Sequence, residues 1–347
     1  MLRVSCLKAQ ADITPRISLT SISRLPVVCA ILLAALTLHL YTFGDTKQAA
    51  DKRKTVAFKL PLWLGGPVTD AHRQPLAPES LQVLNGKAAL PVSGVMAPET
   101  PTMLLVAFDT VGDINNITQA RKAVIAEINS LGSQYWVGLI SAQEPIEVLQ
   151  EPTPDRSLLQ SRIEALSQIG KAGLLESMQP IADMATNILL KADVRVAVVF
   201  ITDSDIGNYR ADYLNPPVNT SDSRDLSRRF AGRALQEKIS RMTAALARFQ
   251  APIFIVHIDP GLDSLNRAYH NGLKQLAEAV GGQCLLSKTT GDIQPTIREA
   301  FKWVKSFYVV GFSLTAEKSG YVRIEIRPAA AIQLAPRFLY PSRVFFP

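Results

Sequence analysis

Two apolar strands in this chain end abruptly in acidic residues: Met103-Leu-Leu-Val-Ala-Phe-Asp109-Thr-Val-Gly-Asp113 and Val196-Ala-Val-Val-Phe-Ile-Thr-Asp203-Ser-Asp205. In a parallel α/β sheet the C-terminal strand ends open onto one crevice, where such sheets bind their ligands. Asp109, Asp113 and Asp203 brought to one point without a cation would repel one another, and a carboxyl pKa would rise. With a cation they would act as oxygen ligands of the kind that Mg²⁺ or Ca²⁺ takes. A plainer alternative stands beside this one. Aspartates at strand-to-helix junctions commonly cap the helix that follows, and Asp109, Asp203 and Asp205 each suit that role. The irregular stretch Gly207–Arg224 follows directly, and a long loop beside a crevice is usually functional. Asp205, Tyr209, Tyr213 and Arg224 are therefore the candidate contacts for a protein partner. Arg224, Arg228 and Arg229 form a small basic cluster there, suited to a helix start or to an acidic surface.

Other chemistries find little footing. There is no Gly-x-Ser-x-Gly elbow, and no Gly-x-x-x-x-Gly-Lys or Gly-x-Gly-x-x-Gly phosphate loop. His39, His72, His257 and His270 are scattered, and His257 lies in the apolar run Ile-Phe-Ile-Val-His-Ile, which reads as a satisfied histidine near the core. Cys6, Cys29 and Cys284 fit neither a zinc spacing nor a disulfide framework. Cys284 reads as a buried, inert thiol. One enzymatic alternative remains: Phe108-Asp109-Thr-Val-Gly112 resembles the nucleophile loop of haloacid dehalogenase-type hydrolases. That loop normally continues with Thr where this chain has Asp113, and no Asp-Asp pair occurs anywhere in the chain.

The elements that must position these residues are legible from hydrophobic period. Thr55–Leu64 alternates as a strand does, and Pro61 makes it an edge or bulged one. Leu81–Leu84 and Ala88–Leu90 flank Asn85-Gly86, a hairpin signature. From residue 98 the pattern alternates. Strands are expected at Met103–Phe108, Tyr135–Ser141, Ile146–Leu149, Val194–Thr202, Pro252–Ile258 and Gln283–Leu286. Helices are expected at Asn116–Leu131, Arg156–Ile169, Leu174–Lys191, Ser227–Phe249, Ser264–Val280 (closed by Gly281-Gly282) and Ile293–Lys305. Alternation of this length predicts an α/β fold with a doubly wound, mostly parallel sheet. After residue 305 the chain reverts to β, with Phe307–Ser313 and Tyr321–Arg327 expected as a hairpin and Ile332–Tyr340 as a further strand. The expected organisation is a basic segment (1–24), a membrane anchor (25–43), a linker (44–54), a β segment (55–97), the α/β domain (98–305) and a C-terminal β segment (306–347) that packs with 55–97.

The 347 residues are 47% hydrophobic and 19% charged, which suits a packed globular chain. The formal charge of +7 is unevenly placed: residues 1–54 hold eight Lys/Arg against three Asp. The body is therefore nearly neutral and lacks the basic footprint of a nucleic-acid binder. Leu25–Phe43 is apolar and as a helix would span about 28 Å, close to the thickness of a bilayer core. Four Arg/Lys precede it and small residues at a cleavage site are lacking, so it reads as an uncleaved signal anchor.

The order of elements over about residues 99–305 resembles von Willebrand factor type A domains. The strand ending at Asp109, the Val-Val-Phe-Ile-Thr-Asp203 strand and Ala-Val-Gly281-Gly282 carry the likeness. Val68-Thr-Asp-Ala-His-Arg-Gln-Pro75, Glu79-Ser-Leu-Gln-Val-Leu-Asn-Gly86 and Phe307-Tyr-Val-Val-Gly311-Phe are similar to the flanks of the acidobacterial group of these proteins. The resemblance implies a metal-ion-dependent adhesion site of the form Asp-x-Ser-x-Ser, with a later Thr and a later Asp. Here Asp109 and Asp203 match, Asp113 stands for the second Ser, Val111 replaces the first, and Ala172 stands where the Thr would be. The site is thus expected to be degenerate, its metal residues being Asp109, Asp113 and Asp203 with Mg²⁺ or Ca²⁺ as the possible ion and no other cofactor. The function expected from the resemblance is non-enzymatic: a membrane-anchored, extracytoplasmic adhesion or scaffold module that binds a protein partner, in the periplasm or at the cell surface. The alternatives are the Asp109 hydrolase and a structural envelope subunit with a vestigial crevice.

Overall fold

The computed structural model describes residues 53–65, 76–167, 170–205, 223–258, 264–329 and 337–347; of 223–232, 234, 264 and 265 it describes the backbone only. The expected anchor at 25–43, Cys6, Cys29, His39, His72, the Val68–Pro75 motif, Tyr209 and Tyr213 lie outside the described residues, as does the Arg224 side chain. No described helix is long and apolar enough to cross a membrane. Arg53–Pro347 forms one compact unit.

The chain opens with β1 (Lys54–Leu64), β2 (Leu81–Asn85), β3 (Ala88–Leu90) and β4 (Val92–Met96). The α/β part follows as β5 (Thr102–Asp109), α1 (Ile114–Asn129), β6 (Tyr135–Ser141), β7 (Glu147–Thr153), α2 (Arg156–Glu164), α3 (Leu174–Lys191), β8 (Arg195–Thr202), α4 (Ser223–Leu246), β9 (Ile253–Ile258), α5 (Ser264–Ala279), β10 (Cys284–Ser287) and α6 (Ile293–Ser306). It closes with β11 (Tyr308–Ala316), β12 (Gly320–Arg323), β13 (Glu325–Pro328), β14 (Phe338–Leu339) and β15 (Arg343–Phe346).

The central sheet has the order β10-β9-β8-β5-β6-β7, and every pair is parallel except β6–β7. This is the doubly wound arrangement, with its reversal of strand order between β5 and β8. All eight residues of β8 and all six of β9 are buried. Strands covered on both faces read as continuous apolar runs, which is why their sequences lack alternation. The helices form two packed groups, α1 with α2 and α6, and α3 with α4 and α5.

The remaining strands build a four-stranded sheet (β14-β1-β11-β4), a three-stranded one (β13-β2-β3) and the pair β12–β15. Gly86, at φ +60°, makes the turn between β2 and β3, as Asn-Gly predicts. A second core of Phe58, Leu60, Leu62, Tyr308, Val310 and Phe312 lies here. The expected hairpin of Phe307–Ser313 with Tyr321–Arg327 does not form. Both edges of β11 are taken, by β1 and β4, so the later segment divides into β12, paired with β15, and β13, paired with β2. Of the expected strand at Ile332–Tyr340, residues 330–336 lie outside the described part, and Phe338–Leu339 pair with Trp63–Leu64. The helix expected to reach Ile169 stops at Glu164. The Leu166 carbonyl beyond it accepts from Arg121 at 2.8 Å and so leaves the helical path. The helix expected from Ser227 begins at Ser223, which places Arg224 in its first turn.

Candidate functional site

β5 and β8 lie side by side and parallel, with Asp109 in register with Thr202. The Asp203 N–H donates to the Asp109 carbonyl at 3.3 Å. The two strand ends therefore lie side by side and point the same way, as their sequences predict.

The Asp109 side chain is fully buried, with 0% exposure. Its Oδ1 accepts from the Gly173 N–H at 2.8 Å, and its Oδ2 from the Thr202 hydroxyl at 3.0 Å and from the Ser204 hydroxyl. Burial pushes its pKa up to about 6; the bonds from Ser204, Gly173 and Thr202 oppose the rise, and the nearby Asp203 adds to it. Asp203 spans the next loop: Oδ1 accepts from Val111 N–H and Oδ2 from Gly112 N–H, both at 2.8 Å. A Cβ on Gly112 would sit 2.9 Å from Asp203 Oδ2, so a side chain there would push the carboxylate away from these N–H groups. Burial also raises the Asp203 pKa, against the bonds from Val111 and Gly112. Asp113 caps α1, its Oδ1 accepting from Asn115 N–H at 2.8 Å and Asn116 N–H at 3.1 Å.

Of the three expected metal residues, the structure thus brings Asp109 and Asp203 together and turns Asp113 toward its own helix. Val111 and Ala172, standing where the adhesion-site pattern has hydroxyls, pack against or within the main core. Each carboxylate is directed at a different set of protein N–H and O–H donors. Among the described residues, no three His, Cys, Asp or Glu side chains gather as the ligands of one metal ion would. This arrangement does not fit a resident cation. Asp205 is half-buried at the same strand end.

Sequence reasoning missed Thr202 and Ser204 as partners of Asp109. The period of two along an extended segment was the available signal: residues 202 and 204 share a side, and Asp203 points the other way. Gln143 was also missed; its amide donates to the Thr110 carbonyl at 2.8 Å and ties the loop after β6 to the loop after β5. His257 is fully buried, as its apolar run predicts, and lies 3.0 Å from the Ser204 carbonyl through Nε2. A carbonyl only accepts, so Nε2 carries the proton. His257 Nδ1 then accepts from His270 Nδ1, 3.1 Å away on α5. Burial, and then the neighbouring His270, lower the His257 pKa to about 4. Cys284 is a free, buried thiol whose pKa burial pushes up to about 12, in keeping with an inert role.

No family model matches the chain, and no curated protein does. Solved structures do. The proximal thread matrix protein 1 of the mussel byssus is 8% identical over 61% of this chain at a TM-score of 0.39, and the chain spans about half (49%) of that protein. The von Willebrand domain of the type V pili tip protein Mfa5 from Porphyromonas gingivalis is 12% identical, covering 60% of this chain and 95% of its own, at 0.41. A von Willebrand factor type A protein from Catenulispora acidiphila is 8% identical over 85% of this chain and 74% of its own, also at 0.41. Several of the solved structures to which this chain is similar are thus von Willebrand factor A proteins, at low identity and low TM-score.

Proposed function

We propose that this chain is a non-enzymatic protein-interaction module, anchored in a membrane through Leu25–Phe43 with its body outside the cytoplasm, and that its crevice is a degenerate metal-ion-dependent adhesion site. One observation carries the reading: the carboxylates of Asp109 and Asp203 bind the protein's own loops with all four oxygens. The crevice then holds its rim together without an ion. Beside it, at the start of α1, Ile114 is 60% exposed, an aliphatic side chain in water of the kind a protein contact surface presents. Asp205 is half-buried at the β8 end, and Tyr209, Tyr213 and Arg224 are the further partner contacts that the sequence offers. A nucleophile needs an open face toward its substrate, and fully buried Asp109 supports a non-catalytic role.

Two measurements test this. A photo-crosslinker placed at Ile114 should trap one defined protein in the native envelope, whereas one at Ser130, at the far end of α1, should not; crosslinks from Ser130 alone would overturn the reading. Calorimetric titration with Mg²⁺, Ca²⁺ and Mn²⁺ should give no heat of binding. Heat that disappeared in Asp109→Asn would show a working ion site instead of a degenerate one.

A further inference from the structure

β7 ends the central sheet. It pairs with β6 on one side and α2 packs on it, and among the described residues no strand joins its outer edge. Edge strands carry a row of unpaired N–H and C=O groups, and natural sheets blunt them with charges (lysine above all), proline, bulges or covering elements. Just before β7 the Glu144 N–H donates to the Lys171 carbonyl at 3.1 Å, and from Glu147 to Thr153 this edge carries no lysine. It instead leaves apolar side chains in water: Val148 is 49% exposed, Ile146 just before it 41%, and Trp136 on β6 49%. Val148 is in register with Ile140, so it shares a sheet face with Ile140, Gly138 and Trp136. Three exposed carboxylates accompany them, Glu144, Glu147 and Glu151, and among the described residues none forms an ion pair.

We infer that the outer edge of β7 is a docking site for an extended, basic segment of a partner protein, which adds a strand to the sheet. Main-chain pairing gives such a complex its register, and side chains give it specificity. The acidic residues select Lys and Arg, while Ile146, Val148 and Trp136 select β-branched or aromatic residues between them. Register shifts within β7 and Pro152 near its end confine regular pairing to the Glu147 end of the strand, so charge and side-chain contact carry much of the affinity. Docking here needs no contact with Asp109 or Asp203 and stands whether or not the crevice binds a partner.

The probe is a ten-residue peptide alternating lysine and valine, with a glutamate–valine peptide as control, titrated against the full chain by fluorescence anisotropy. The lysine peptide should bind and the glutamate peptide should not. Binding should weaken at least tenfold in the double variant Glu147→Lys, Glu151→Lys, and several-fold in Val148→Ser, while Ile114→Ser should leave it unchanged. All of these residues are exposed, so the variants keep the fold. Hydrogen exchange should show protection gained at residues 147–151 on binding. No binding of the lysine peptide, equal binding by the charge-reversed variant, or protection confined to the crevice loops would each overturn the inference. So would a concentration-dependent dimer that protects the same amides without peptide, since the edge would then belong to a second copy.

Discussion

Asp109 carries an ionisable group into a place with no solvent-facing surface, and its three donors only partly offset that burial. With its pKa raised to about 6, the folded chain takes up this proton about two pH units before the unfolded chain does. The stabilisation is complete below the ordinary aspartate value near 3.8 and is lost as pH rises through 6. Above pH 6 the ionised carboxylate is held at a cost of about 3 kcal/mol. Asparagine fits the same place: its carbonyl accepts from Gly173, and its amide donates to the hydroxyls of Thr202 and Ser204. Asp109→Asn should therefore gain roughly 2 kcal/mol at pH 7.5 and almost nothing at pH 4, read by urea unfolding at both pH values. A loss at pH 7.5 would mean that the fold needs the charge. His257 works in the opposite sense. Its pKa is depressed to about 4, so its contribution is present above 6.5 and is lost as pH falls through 4. Relative to the wild type, His257→Gln should gain stability steadily as pH drops from 6.5 to 4, checked by the same unfolding series. The meeting of Asp109 and Asp203 was legible from two apolar runs with acidic ends. The His257–His270 contact was not, because a period marks which face of a helix is buried and says nothing of the strand residue it will meet.

At the scale of elements, Asp113 separates two kinds of role. As the cap of α1 it satisfies two N–H groups of the first turn, which is worth about 1 kcal/mol. Asp113→Ala should cost about that much, and Asp113→Ser much less, with the same values in EDTA and in millimolar Mg²⁺. A cost that appeared only with Mg²⁺ present would make Asp113 a ligand. The sequence offers a capping role to Asp109, Asp203 and Asp205 and a metal role to Asp113, and the structure makes Asp113 a cap; the outcome depends on where the side chain turns, and residue type does not fix that. Local signals served well wherever a motif closes on itself. Asn85-Gly86 placed a hairpin because the turn needs φ > 0, which Gly86 supplies at +60°, and Gly281-Gly282 ended α5 because their N–H groups reach back to Glu278 and Ala277. The same reasoning failed at Tyr321–Arg327. Alternation identified strand-forming residues correctly but could not show that β11 had already been claimed by β1, which precedes it by most of the chain.

At the scale of the whole molecule, the β sheets and the α/β core are joined by buried and half-buried polar contacts that no short sequence window contains. Lys59 on β1 donates to the carbonyls of Leu189 and Ala192 at 2.8 and 3.0 Å, closing the C-terminus of α3. The Trp63 indole N–H donates to the Trp303 carbonyl at 3.1 Å. Arg195, wholly buried at the start of β8, makes the most consequential join. Its guanidinium donates to the carbonyl of Pro98, where the chain enters the core, and to that of Phe307, where it leaves, at 2.5 and 2.8 Å. It also reaches the Tyr135 hydroxyl at 3.2 Å and stacks 4.6 Å from the Phe307 ring. The sequence pattern gives it no role: it is the one charged residue in the expected strand Val194–Thr202, and nothing local shows what it meets. Arg195→Met keeps most of the volume and strands these acceptors in a dry site, where each unmet group costs about 1–3 kcal/mol. The variant should lose about 3 kcal/mol, and the loss should reach both parts of the molecule. Followed by near-ultraviolet dichroism, which reports Trp63 and Trp303, and by far-ultraviolet dichroism, wild type should unfold in one coincident transition. In Arg195→Met that transition should shift to lower urea while staying single if Lys59 and Trp63 still hold β1 to the core. Two separated transitions in the wild type would show instead that the β sheets and the α/β core are independent units, and that Arg195 ties together only the two ends of the core.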